Sequence, residues 1–248
     1  MIRTSLKDHV LRLTLARPEK KNALVGPMYE ALTEALVRAE TDPAIHVVLF
    51  DAEGDSFSAG NDLSEFAAVA SGAIAPNALK VRGFLDALAN ATTPYVAAVQ
   101  GSAIGIGATL LLHCDLVYVA DDAKLSTPFV NLALVPEAGS SSLLPERIGH
   151  ARAFALFALG DTIDAQRALE LGIANEIVAR AALRDHALAR AEALAAKPAG
   201  ALRATKKLMR DAATIREVMA REVKVFGERL QSEEALAAFK AFASRKGS

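Results

Sequence analysis

Tyr95-Val96-Ala97-Ala98-Val99-Gln100-Gly101-Ser102-Ala103-Ile104-Gly105-Ile106-Gly107 reads as a buried strand running straight into a glycine-rich turn. The run Tyr95 to Val99 is short, apolar and introduced by Thr93-Pro94, which suits a strand covered on both faces. After the turn the spacing predicts a helix to about His113, then another apolar strand, Leu116 to Val119. Toward the N-terminus, residues 64–91 are helical with an interruption around Ser71-Gly72. His46-Val47-Val48-Leu49-Phe50, bounded by Asp51 and Gly54, is a second buried strand. Met28, Leu32, Leu36 and Val37 recur at helical spacing between Pro27 and Glu40, and Asp42-Pro43 ends that helix. Leu11, Leu13 and Leu15 alternate with Arg12 and Thr14, the period of a half-buried strand, which Arg17-Pro18 stops. Strand, helix, strand, helix, strand predicts an α/β fold with a parallel sheet covered on both faces.

Downstream of about residue 140 helical patterns dominate, with almost no strand signal. Residues 179–196 are alanine-rich and amphipathic, Pro198 restarts the chain, and residues 214–244 carry long helical periods. The pattern divides the chain into an α/β core, residues 1–190, and a helical C-terminal region, residues 191–248. An apolar stripe in such a region packs on its own core or on a neighbouring subunit, and periodicity does not choose between them.

Composition narrows the function. The 248 residues are 52% hydrophobic, enough for a core that needs no disulfide or metal staple. Lys plus Arg number 28 against 29 Asp plus Glu, a net charge of −1 that gathers neither nucleic acid nor anionic membrane. Cys114 is the single cysteine, which excludes a disulfide framework and a four-cysteine zinc site. Met1 to Asp8 holds no apolar signal core, and the most apolar stretch, Ala103 to Ala120, is broken by His113 and Asp115. The expectation is a soluble cytoplasmic protein with no membrane or nucleic-acid partner. His9, His46, His113, His150 and His186 are scattered without metal-ligand spacing, so no metal site is expected. His113-Cys114 reads as packed rather than reactive, and Ser140-Ser141-Ser142 as a helix cap.

The turn Gly101 to Gly107 places backbone N–H groups at a helix N-terminus, where they can hold an anion. One reading is a dinucleotide fingerprint of the short-chain dehydrogenase kind. Against it, the turn lies after residue 100, and none of Tyr29, Tyr95 and Tyr118 is followed by a lysine four residues on. No acidic residue ends a following strand at the distance a ribose contact requires. A second turn, Asp55-Ser56-Phe57-Ser58-Ala59-Gly60-Asn61-Asp62-Leu63, also follows a strand and precedes a helix, with Asp62 placed to cap it. Two such turns at the carboxyl ends of adjacent strands would make an oxyanion hole, each donor contributing about 2.7–4 kcal/mol to a transition state.

Phe57 to Leu63, Gly101 to Gly107 before His113-Cys114-Asp115, and Pro136-Glu137-Ala138-Gly139-Ser140-Ser141 together resemble the crotonase family. Ala16-Arg17-Pro18 with Lys21-Asn22-Ala23-Leu24 is similar to its entry loop, and Ala165 to Gly172-Ile173-Ala174 to its late helical motif. The resemblance runs in order from about residue 10 to the C-terminus. It implies a crotonase-like spiral of strand-strand-helix turns, a C-terminal helical trimerisation region and acyl-CoA thioester substrates. No cofactor is implied beyond the CoA that the substrate carries. Its partners would be further copies of the chain, as a homotrimer or a dimer of trimers. The family's oxyanion donors map onto the backbone N–H groups of Asn61 and Ile106. Its CoA site maps onto Lys20 to Ala23 and Ala59 to Leu63, giving Lys21, Ala23, Ala59, Asp62, Leu63 and, beside the acyl group, Phe129 as substrate-binding residues. Arg245 or Lys246 would reach the CoA phosphates of a neighbouring subunit.

In the resemblance the two glutamates of the hydratases fall at Thr109 and Phe129, neither of which can do acid–base work. Glu137 stands where the family's 3-enoyl to 2-enoyl-CoA isomerases carry their base. By position alone it reads equally as a carboxylate serving the helix that begins near Ser140. Apolar neighbours Leu134, Val135 and Phe129 would raise its pKa by desolvation. Phe66, Phe84 and Leu88 are candidates for an acyl tunnel or for plain core. The resemblance favours a double-bond isomerase with Glu137 as proton shuttle. Alternatives are a hydratase-like relative with hydrolase or lyase chemistry, an NAD(P)-binding short-chain dehydrogenase, and a non-catalytic oligomer or RNA binder.

Overall fold

The computed structural model describes residues 1–75 and 79–245. In chain order the strands are β1 (Ile2–Lys7), β2 (Val10–Leu15), β3 (Val47–Ala52), β4 (Tyr95–Val99), β5 (Ser102–Ile104), β6 (Leu116–Ala120), β7 (Lys124–Ser126), β8 (Thr162–Asp164) and β9 (Glu176–Val178). The main sheet runs β1-β2-β3-β4-β6-β9, and β5-β7-β8 form a second, smaller sheet. From β2 to β9 the main sheet is parallel, while β1 lies antiparallel on its edge.

Period-two alternation sends the strand side chains into two cores. Leu11, Leu13, Leu15, Val48, Phe50, Tyr95, Ala97 and Val99 face one side, with α1 (Gly26–Thr41) and α3 (Val81–Asn90) packed over them. Val47, Leu49, Val96, Ala98 and Tyr118 face the other, covered by the alanine stripe Ala187, Ala191 and Ala195 of α8 (Leu183–Ala195). The small alanines let the helix lie close on a flat, fully buried sheet face. The expected parallel sheet covered on both faces is present.

The remaining helices are α2 (Leu63–Ala70), α4 (Ile106–Thr109), α5 (Ser140–Ile148), α6 (His150–Leu159), α7 (Ala165–Glu170), α9 (Ala199–Met209), α10 (Ala212–Leu230) and α11 (Glu233–Arg245). The stripes of α10 and α11 pack on the chain's own core, where Phe226 and Phe239 meet Phe66 of α2 at 5.6 Å and 6.4 Å between ring centroids. Three expectations need correction. The glycine turn itself contains β5, because Ser102 to Ile104 pair with β7. The chain beyond residue 140 is not strand-free, since β8 and β9 pair there, each only three residues long and too short to show a period. The start of α5 is not capped by its serines; Gly139 is its N-cap residue and makes no side-chain cap bond. Among the described residues no helix is long and apolar enough to cross a membrane.

Candidate active site

The turns after β3 and β4 meet because the strands are parallel neighbours. Ser58 N–H donates to Ser102 O at 3.0 Å and Ile104 N–H to Ser58 O at 2.9 Å, stitching the two turns main chain to main chain. Glycine permits this approach. A Cβ on Gly101 would stand 1.9 Å from Asp55 O, and one on Gly60 would stand 2.6 Å from Ile104 O. Both glycines also have positive φ, +56° and +83°. The glycine run thus serves close packing of two backbones. Beside it the first residue of α4, Ile106, has an N–H that no helical carbonyl can reach. Asn61 is bridged to Leu24, but the bonds run from Leu24 N–H to Gly60 O and from Asp62 N–H to Leu24 O. Among the described residues the N–H groups of Asn61 and Ile106 have no acceptor.

The entry loop is laced to the same turn. Ala59 N–H donates to Lys21 O at 2.8 Å, and Asn22, fully buried, donates its carboxamide to Glu53 O and Ser56 O. Arg17 donates to Asp62 Oδ2 at 2.8 Å and to Ala23 O at 2.9 Å. Asp62 in turn accepts from Ser64 N–H and caps α2. Burial raises the Asp62 carboxyl, but bonds from Arg17 and Ser64 outweigh it and hold the pKa below the usual value. Lys21, Ala23, Ala59, Asp62 and Leu63 are therefore brought onto one ledge. Phe129 is not part of it; its ring packs on Phe157 of α6 at 6.0 Å. Lys246 lies outside the described residues, and Arg245 ends α11.

Glu137 is buried, 6% exposed, and accepts a 2.6 Å bond from Thr109 Oγ1. Thr109 lies three residues after Ile106 in α4, so the hydroxyl that holds the carboxyl and the free Ile106 N–H share one helical turn. Burial pushes the Glu137 pKa up to about 8, opposed by the Thr109 bond and reinforced by the negative charge of Glu222. The expected upward direction holds. The Glu137 carboxylate does not serve the start of α5, although its main-chain carbonyl accepts from Ser140 N–H at 3.1 Å. The carboxylate that does is Glu222 of α10, accepting from Gly139 N–H at 2.6 Å and Ser141 N–H at 2.8 Å. Behind Thr109 lies an apolar cavity of about 30 Å³, walled by Leu112, Leu125, Leu144 and Leu156.

Two participants escaped the sequence reading. Tyr29 of α1, buried at 2% exposure, donates its hydroxyl to Asn61 Oδ1 at 2.6 Å. Desolvation first, then the charges of Glu137 and Glu65, hold that hydroxyl protonated well above its ordinary range. Glu222 was legible in principle, because it falls in the buried stripe Ile215, Val218, Met219 and Leu230 of α10. Other candidates resolve into packing. Phe84 and Leu88 are fully buried core and Phe66 is stacked in the aromatic cluster. Cys114 is buried with its thiol pushed up to about 12 by desolvation, and His113 is pushed down to about 3 by burial and then Arg210. Among the described residues no three His, Cys, Asp or Glu gather as metal ligands.

Residues 5–247 match the family model described as enoyl-CoA hydratase/isomerase. The chain is 33% identical over 242 residues to enoyl-CoA delta isomerase 2 of Rattus norvegicus, with 96% of this chain and 62% of that protein covered. It thus spans less than two thirds of that relative's length. It is 35% identical over 217 residues to 1,2-epoxyphenylacetyl-CoA isomerase of Escherichia coli strain K12, covering 86% of this chain and 83% of the relative. The crystal structure of an enoyl-CoA hydratase/isomerase from Pseudoalteromonas atlantica T6c has a TM-score of 0.92 and 39% identity, over 98% of this chain and 97% of that one. With the spiral of paired turns and a family match over nearly the whole sequence, the chain belongs to the enoyl-CoA hydratase/isomerase family, the crotonases.

Proposed function

We propose that this protein is an acyl-CoA enzyme that moves a double bond from the 3- to the 2-position of an enoyl-CoA. The observation that carries the reading is Glu137, a buried carboxyl with its pKa near 8, held by Thr109, which lies one helical turn after a free N–H. The ionised carboxylate removes a proton from C2 of the substrate. The electron pair passes into a dienolate, whose thioester oxygen accepts from the N–H groups of Asn61 and Ile106. Glu137, now protonated, returns the proton at C4, and the double bond comes to rest between C2 and C3. One residue holding one proton completes the cycle. Hydration would call for two carboxyl groups, and the resemblance puts Thr109 and Phe129 where that pair would stand. CoA would lie along Lys21, Ala23, Ala59, Asp62 and Leu63, with the active form a homotrimer or a dimer of trimers.

The name of the rat relative supports this reading, and the name of the Escherichia coli relative extends it to other acyl-CoA isomerisations. The test follows a 3-enoyl-CoA for the rise of conjugated-thioester absorbance, with wild type beside Glu137→Gln. A rise in wild type that the variant loses supports both the reaction and its base. A wild type that binds acyl-CoA without any rise sinks the reaction and directs the search to hydrolysis and hydration.

A further inference from the structure

The turn that carries Glu137 is not one its sequence adopts freely. Ala138 and Gly139 are successive left-handed residues, with φ of 59° and 73°, and only the glycine takes that conformation without strain. Side chains from outside the turn fix it. His113 lies 2.7 Å from Ala138 O through Nε2, while the Arg210 guanidinium contacts its Nδ1. A guanidinium can only donate, so Nδ1 accepts and Nε2–H donates to Ala138 O. From the opposite side comes Glu222, 7% exposed, whose carboxylate takes the N–H groups of Gly139 and Ser141. A carboxylate on the buried face of a helix is costly unless satisfied, and these two donors at the start of α5 satisfy it.

We infer that Glu222 is a positioning residue for Glu137: it fixes the turn through two main-chain bonds and holds a negative charge beside the proton-carrying carboxyl. The inference rests on the reading of Glu137 as the base. The groups that bear on Glu137 are the Thr109 hydroxyl from α4 and Glu222 from α10, while the charge of Glu137 itself bears on the Tyr29 hydroxyl of α1. Glu65 of α2 acts on Tyr29, Arg221 acts on Glu222, and His113, its pKa lowered to about 3, is neutral throughout the pH range of the profile. Of these, Glu222 is the one whose charge raises the Glu137 pKa.

The test uses the full chain with ¹³C-labelled glutamate, the Glu137 signal being assigned by its loss in Glu137→Gln. Wild type, Glu222→Gln and Glu222→Asp are titrated by NMR, and the pH profile of turnover with a 3-enoyl-CoA is recorded beside each. Glu222→Gln is expected to lower the Glu137 midpoint by about one pH unit, carry the acid limb of the profile with it, and cut kcat about tenfold with KM little changed. Glu222→Asp keeps the charge and is expected to hold the midpoint while kcat falls. A midpoint unmoved in Glu222→Gln overturns the inference, and so does a shift of the same size in Glu222→Asp. Because the titration needs no turnover, failure of the base reading shows separately, as activity retained in Glu137→Gln.

Discussion

The two halves of the candidate site are held by different means. The half with the free N–H groups is main chain fastened to main chain, with glycines where a Cβ would strike a carbonyl. The half with Glu137 is a strained turn pinned by side chains that lie 25, 28 and 83 residues away in sequence. The first half should tolerate side-chain change but no added Cβ. The second should tolerate little side-chain change and respond through pH. A strong test of this contrast removes one element from each half and asks whether fold or chemistry fails.

The largest expected effect on chemistry is Glu137→Gln, a loss of about 10³-fold or more in turnover of a 3-enoyl-CoA, with the fold intact by circular dichroism. Its stability should move the other way. Between the unfolded carboxyl pKa of 4.5 and the folded value near 8, the folded chain keeps a proton that the unfolded chain has lost. Wild-type stability therefore falls as pH rises through that window, whereas glutamine has nothing to lose. Denaturant melts should show the variant ahead by about 2 kcal/mol at pH 8.5 and level at pH 4.

Gly101→Ala should break the other half by breaking its fold, since the new Cβ meets a main-chain oxygen that cannot swing away. Destabilisation of about 3–5 kcal/mol is expected in a thermal melt. If Gly101→Ala melts like wild type, the account of stitched turns is wrong.

Finer changes sharpen the contrast. Thr109→Val removes the bond that lowers the Glu137 pKa, so the limb of the kcat/KM profile should move from near pH 8 to higher pH, with activity at pH 7 down about tenfold. Tyr29→Phe removes the hydroxyl held on Asn61 Oδ1 and leaves the main-chain donor in place. A loss of roughly threefold in kcat and about 1 kcal/mol of stability is expected, with the pH limb nearly fixed. A tenfold drop or a large pH shift would mean that Tyr29 belongs with the Glu137 half.

The sequence made the main sheet legible because its strands are apolar runs with both faces covered. Strand β1 escaped because all but Ile2 of its residues are exposed and carry no apolar pattern, and β9 because its three residues show no period. The second sheet escaped because three-residue strands are defined by partners far along the chain rather than by their own spacing. In the site, Asn61, Ile106 and Glu137 stood out through short motifs, each a local record. Glu222 and Tyr29 act across long separations, and no local motif records a contact of that kind. The one trace was an acidic residue in the apolar stripe of α10, a mismatch that called for a buried partner.

That long reach has a consequence for how the protein is made. A chain emerging from its N-terminus releases every strand of both sheets before the residue that satisfies Gly139 and Ser141. Until α10 arrives, two N–H groups at the start of α5 and a left-handed alanine have no clamp on that side. The spiral can close early while the Glu137 turn stays soft on that side until α10 is made. A nascent chain with this order passes through a stage in which both sheets are formed and the Glu137 turn is not yet clamped, and α10 supplies the clamp.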